Sequence, residues 1–237
     1  MTGVLTLSAA DIHPDREAAL GYQGIAPGTA VPQHIDDLYD TALELLLHTV
    51  EPMAVVSEIS REEFAAVYEG AGRNDPVTPV GDIFPHADYL ALFAVTLGEH
   101  VSEAIGRCFT SNEFATGSML DAAASVAADT AADAIERRVA AVLQADGRAT
   151  PDTGVLRYSP GYCGWHVSGQ RKLFDYLRPE RIGLQLGASY LMQPLKSVSG
   201  VVIAAPKKVH GFAPSYEFCR RCETRSCRER IRALLAR

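Results

Sequence analysis

Nowhere in its 237 residues does the chain run about 20 apolar residues without interruption, the length a helix needs to cross a bilayer, so no membrane span is expected. The first residues, Met1 to Glu17, have neither a basic lead nor a long apolar stretch. No secretory signal is read there, and the expected location is the cytoplasm. Positive charge is also scarce: 22 Lys and Arg stand against 29 Asp and Glu, a net charge of −7, which argues against a protein built to grip nucleic-acid phosphates. Neither GxGxxG nor GxxxxGK[ST] occurs, so dinucleotide and nucleoside triphosphate use have no support. His13, His34, His48, His86 and His100 form no ligand spacing. The five cysteines are odd in number and three crowd near the C-terminus, a pattern of reduced or metal-bound thiols rather than a disulfide framework.

What is present is an ordinary globular composition, 47% hydrophobic and 22% charged, with length for one sizeable domain. The first forty residues, rich in Pro and Gly, predict a short entry element and then loop. Ile35, Leu38, Ala42, Leu45 and Leu46 share one helical face, and Pro52 stops that helix. Ser60 with Glu63 three residues on is a capping-box signature for a second helix, and residues 70–81 then read as loop. From Tyr89 a nearly continuous apolar run predicts a strand buried on both faces. Val101, Ile105 and Cys108 mark a helix, and an alanine-rich helix is expected from Met119 to Gln144, its small side chains letting it lie close to a sheet. Beyond Gly154 the signals are short strands at 155–158, 183–187 and 197–205, with a capped helix at 168–177. The fold class expected is α+β, a twisted, largely antiparallel sheet with helices packed around it. Residues 1–80 are taken as an N-terminal helical region that could dock partners, and 81–237 as the core with a Cys-rich basic tail, all within one compact domain.

The most specific stretch is Arg157-Tyr-Ser-Pro-Gly-Tyr-Cys-Gly-Trp-His166. Pro160-Gly161 is a turn that frees backbone groups to approach a ligand. Arg157 beside it can hold a carboxylate bidentately, and Tyr162 or Trp165 can stack on a base or face a cation. Such a set suits a small zwitterion bearing an adenine ring. The competing reading has Arg157 paired with a local carboxylate and the aromatic rings in the core. Cys163 and His166, three apart, are too weakly placed by spacing alone to read as a nucleophile and base.

Arg157-x-x-x-Gly161-Tyr162, then Leu173-Phe174, then Ser189-x-x-Met192-x-Pro194-x-x-Ser197-Val-Ser-Gly200 resemble, in order and spacing, the S-adenosylmethionine-binding core of the activation domain of cobalamin-dependent methionine synthase. The resemblance covers roughly residues 120–212. It implies that Arg157 holds the ligand's carboxylate, that the backbone at Ser159 and Gly161 meets the ligand, and that Tyr162 adds to the pocket. It also implies that a helical carboxylate, Asp129 or its neighbour Asp133, binds the amino group. The chain departs from the family where His210 takes the place of a tyrosine in one wall of the ligand pocket, where Cys163-Gly164-Trp165-His166 replaces Pro-Ala-Cys-Pro, and where an aspartate supplied early in the family's domain has no match in residues 1–80.

The resemblance further implies a reactivation subunit that binds S-adenosylmethionine and methylates an inactive cobalamin carried by a partner methionine synthase subunit, with flavodoxin or ferredoxin as electron donor. No Asp-x-His-x-x-Gly cobalamin motif occurs here, and homocysteine, folate and cobalamin modules are expected on other chains. The basic end, Arg220 to Arg237, suits an acidic partner of that kind or a solvated helix. Cys219-x-x-Cys222-x-x-x-x-Cys227, with Cys163 or His210 as a fourth ligand, is the spacing of a zinc or iron-sulfur site. Its alternative is three reduced thiols. Two other functions stay open at this stage: a metal-containing activator of another corrinoid methyltransferase, and a non-catalytic sensor of S-adenosylmethionine.

Overall fold

A computed structural model describes residues 2–211, 216 and 226–236, the side chains of 226–228 excepted. Its frame is a five-stranded sheet. The chain enters through β1 (Gly3–Thr6), α1 (Ala9–Ile12), α2 (Arg16–Tyr22) and α3 (Gln33–Thr49). It continues through β2 (Met53–Glu58), α4 (Arg61–Glu69), α5 (Pro79–Ile83), β3 (Tyr89–Thr96) and α6 (Glu99–Thr110). The 32-residue α7 (Phe114–Ala145) follows, then β4 (Thr153–Tyr158) and α8 (Gly169–Leu177). A two-stranded ribbon of β5 (Gln185–Leu186) and β6 (Met192–Gln193) precedes β7 (Ser197–Pro206), α9 (Lys207–His210) and α10 (Ser226–Leu235). The sheet order is β1-β2-β3-β7-β4, with every neighbouring pair antiparallel.

Alternation along the strands builds two cores. Ala91, Phe93 and Val95 of β3 join Val202 and Ala204 of β7 against α3, α6 and α7. Leu90, Leu92 and Ala94 join Val201 and Ile203 on the opposite face, beneath α4 and α8. Because β3 is covered on both sides, all eight of its residues are buried, which is why it reads as a continuous apolar run. α7 lies on the first face through Ala123, Ala127 and Ala131, each fully buried, and side chains that small bring its backbone, and the acids it carries, close to β4 and β7.

Local signals placed several boundaries well. The capping box at α4 forms, with Ser60 Oγ accepting from Glu63 N at 3.2 Å and Glu63 accepting from Ser60 N at 3.0 Å. Other boundaries moved. The first 80 residues are not only helical but supply β1 and β2 to the common sheet, because β1 is a four-residue half-exposed edge too short to show a period. α7 starts five residues before Met119, and the strand expected at 183–187 shrinks to two residues. Ser168 stands at the N-cap of α8 without a side-chain cap bond; its hydroxyl instead meets His166 Nδ1 at 2.8 Å.

Candidate functional site

β4 ends and β7 begins at the same end of the sheet, and there a cleft of about 960 Å³ opens between the two layers. Its first wall is the turn after β4. Gly161 has φ +92, a conformation that favours glycine. The turn is closed by Gly161 N donating to Trp165 O at 2.7 Å and Trp165 N donating to Tyr162 O at 3.0 Å. Gly200 of β7 lets this turn sit against the sheet: a Cβ there would lie 2.2 Å from Tyr158 O. The remaining wall comes from far away in sequence. Asp75 N donates to Gly164 O at 3.0 Å and Asn74 Oδ1 accepts from His166 N at 2.9 Å, tying the loop before α5 to the turn.

One end of the cleft is charged. Arg157, with a side chain 10% exposed, points to the α7 face, where its Nε donates to Asp133 Oδ1 at 2.7 Å and its Nη2 reaches Asp129 Oδ1 at 3.4 Å. Asp129 and Asp133 are one helical turn apart, so both face the same guanidinium. Burial disfavours the Arg157 charge, but Asp133 and then Asp129 more than offset it and hold its pKa above the usual value. Glu136, one turn further along α7, accepts from Arg157 N at 2.6 Å and from Arg230 Nη1 at 3.2 Å. Burial raises its pKa, against the opposing pull of Arg230 and Arg157.

Further along, uncharged polar groups join Arg73 and Asp75 in the lining. Trp165 Nε1, Gln170 Oε1 and Ser199 Oγ are buried and have no hydrogen-bond partner among the described residues, and all three residues line the cleft. Tyr162 stands 54% exposed on the rim beside Tyr22, whose phenol is shifted upward by burial and then by Asp129.

The structure therefore brings Arg157, Ser159, Gly161, Tyr162, Asp129 and Cys163 to one cleft, with Asp133 the shorter of the two aspartate contacts to Arg157. Arg157 is both paired with local carboxylates and part of the cleft wall. Two expectations need correction. Trp165 is 1% exposed and packs edge-on against Phe64 at 5.8 Å, so its ring is core rather than a stacking surface. His210 does not reach the cleft: it is fully buried beyond the start of β4, with Nε2 donating to Gly154 O at 3.1 Å and Nδ1 accepting from Tyr158 Oη at 2.8 Å. A carbonyl can only accept, which assigns the proton to Nε2, and burial lowers this histidine's pKa to about 4. Cys219 and Cys222 and the side chain of Cys227 lie outside the described residues, and among the described residues no group of three or more His, Cys, Asp or Glu is arranged to hold a metal ion.

Asp75, Gln170, Ser199 and Arg230 were missed. Asp75, Gln170 and Arg230 have no spacing signature, since each is carried in by a different element. Ser199 lies inside the Ser197-Val-Ser-Gly200 motif without a role read from it, and the alternation along β7, which sends residue 199 to the same face as 201 and 203, could have hinted at one.

The architecture is an antiparallel α+β layer pair with an arginine-aspartate cleft beside a Pro-Gly turn. The chain belongs to the family described as the vitamin B12 dependent methionine synthase activation domain, whose sequence model matches residues 73–213, more than half of its length. Among solved structures it is similar to a crystal structure of the MetH reactivation domain bound to AdoHcy, with a TM-score of 0.64 and 17% identity over 100% of this chain and 89% of the other. No curated protein matches the sequence. Among the described residues no helix is long and apolar enough to cross a membrane.

Proposed function

We propose that this chain binds S-adenosylmethionine in the cleft beside β4 and serves as the reactivation subunit of a cobalamin-dependent methionine synthase whose cobalamin sits on a partner chain. The observation that carries this is the presence in one cleft of two chemically different sets of groups. At the charged end, Asp129 and Asp133 suit an ammonium group, and Arg157 forms no hydrogen bond from Nη1 within the described residues, leaving a donor for a carboxylate. Gln170 Oε1 and Ser199 Oγ, without hydrogen-bond partners among the described residues, suit a heteroaromatic base, whose edge offers both donors and acceptors. Tyr162 and Tyr22 on the rim suit a sulfonium cation facing an aromatic ring. The ligand of the similar MetH domain, AdoHcy, has groups to match both sets.

The chemistry is a one-electron reduction, from a flavodoxin- or ferredoxin-type donor, coupled to transfer of the sulfonium methyl group to the partner's cobalt with release of S-adenosylhomocysteine. This chain's task in it is positioning. Its residues hold the ligand's two ends so that the methyl group faces the partner, and no side chain need move a proton.

Titrating the purified protein with S-adenosylmethionine in a calorimeter tests the reading. The intact protein binds, and Arg157→Gln, checked for an unchanged melting profile, binds at least about 10-fold more weakly, the scale of one lost charged hydrogen bond. Absence of binding by the intact protein overturns it. Adding the cobalamin partner and a reductant then separates methyl transfer, seen as conversion to methylcobalamin, from sensing, which leaves the cobalamin unchanged.

A further inference from the structure

We propose that Arg230, carried by α10, is a second cation for the ligand's carboxylate and positions Arg157 to receive it. This rests on the reading that the cleft takes S-adenosylmethionine. Arg230 lies beyond residues 73–213, the stretch matched by the family, so the family match assigns it no role. Yet α10 returns to the cleft, and Arg230 lines it together with Glu229.

Arg230 Nη2 donates to Arg157 O at 3.2 Å, and Arg230 Nη1 donates to Glu136 Oε2 at 3.2 Å. That same carboxylate oxygen accepts from Arg157 N at 2.6 Å. Arg230 thus grips the peptide of residue 157 from the carbonyl side and, through Glu136, from the amide side. The guanidinium of Arg157 is aimed by this clamp. Arg230 Nε is buried and has no hydrogen-bond partner among the described residues, so this guanidinium keeps one donor unused.

Charge gives the reason a second cation is needed. Around Arg157 stand three carboxylates, Asp129, Asp133 and Glu136. With one guanidinium among them an incoming carboxylate meets a net repulsion. Among these groups Arg230 reduces the excess from two negative charges to one, and Glu229 and Asp75 against Arg73 leave the cleft acidic, which suits a ligand carrying one carboxylate, one ammonium and one sulfonium.

The test compares two ligands, S-adenosylmethionine and its decarboxylated analogue, on the full chain and on Arg230→Gln and Arg230→Lys. Arg230→Gln is expected to bind S-adenosylmethionine about 10-fold more weakly while changing affinity for the decarboxylated analogue less than about 2-fold. Arg230→Lys should recover part of the loss, because it restores the charge without the fork. Should Arg230→Gln prove unstable, because Glu136 is left as an unpaired buried acid, Arg230→Gln with Glu136→Gln removes both charges and keeps the same comparison. Equal losses for both ligands, or no loss for either, overturn the role of Arg230 while leaving the binding reading intact. If the unaltered protein binds neither ligand, the reading of the cleft falls and this role with it.

Discussion

Gly200→Ala puts the link between sheet packing and the cleft to a direct test. Residue 200 sits in β7 opposite Phe93 of β3, and on its other side the chain of β4 turns away at Ser159. An added Cβ would lie 2.2 Å from Tyr158 O and 3.0 Å from both Phe93 and Ser159 Oγ. The first contact is about 0.8 Å inside the 3.0 Å limit that real Cβ atoms respect, and it is with backbone, which cannot rotate aside. Either β7 parts from its neighbours or the Ser159–Gly161 turn shifts by roughly that distance. Overpacking of this kind costs about 1–3 kcal/mol, and the shift moves the arginine end and the turn apart. Urea denaturation followed by circular dichroism should show the loss of stability. Calorimetry on the folded variant should show S-adenosylmethionine binding weakened by at least about 10-fold, the scale of one charged hydrogen bond lost when a binding wall is displaced. If Gly200→Ala melts and binds like the parent, the turn is not held against the sheet as described.

Three further outcomes follow from individual environments. His210 has a folded pKa of about 4 against an ordinary 6.5, so the stability it contributes is full above pH 6.5 and drains as pH falls from there toward 4. The ceiling is about 3 kcal/mol, and the acid limb of a stability profile should flatten in His210→Asn; an unchanged slope refutes the burial of a neutral imidazole. Gly169→Ala would place a Cβ 2.4 Å from Nε1 of Trp165, the chain's one tryptophan, so intrinsic fluorescence should shift along with a loss of about 1–3 kcal/mol. Ser199→Ala removes a buried hydroxyl that has no partner among the described residues, so it should leave the melting temperature unchanged or raised, because desolvating an unpaired hydroxyl costs about 1–3 kcal/mol. The same variant should bind S-adenosylmethionine more weakly; a lower melting temperature with unchanged affinity contradicts both expectations.

The fold and the site differ in how much of them periodicity could reach. A strand buried on two faces announces itself as an unbroken apolar run, and Tyr89–Thr96 was legible for that reason. α4 was legible from its capping box, and α7 from its alanines, because both signals act within a few residues. β1 was not, since an edge strand of four residues carries almost no pattern, and its place beside β2 is set by pairing across 50 residues of chain.

The local sequence determined β3, α4 and α7, the glycine turn after β4 and the presence of an arginine, a tyrosine and a pair of acids one helical turn apart. Those follow from short-range sterics and from the 3.6-residue period, which need no knowledge of the rest of the chain. Only the tertiary structure decided which of these groups meet. It turned Trp165 into core, carried His210 past the start of β4, and brought Gln170, Ser199 and Arg230 to the cleft from three separate elements. Side-chain identity fixes what a residue can do. Where it does it depends on strand alternation, helix crossing and chain return, all settled by burial across long separations that no local spacing encodes.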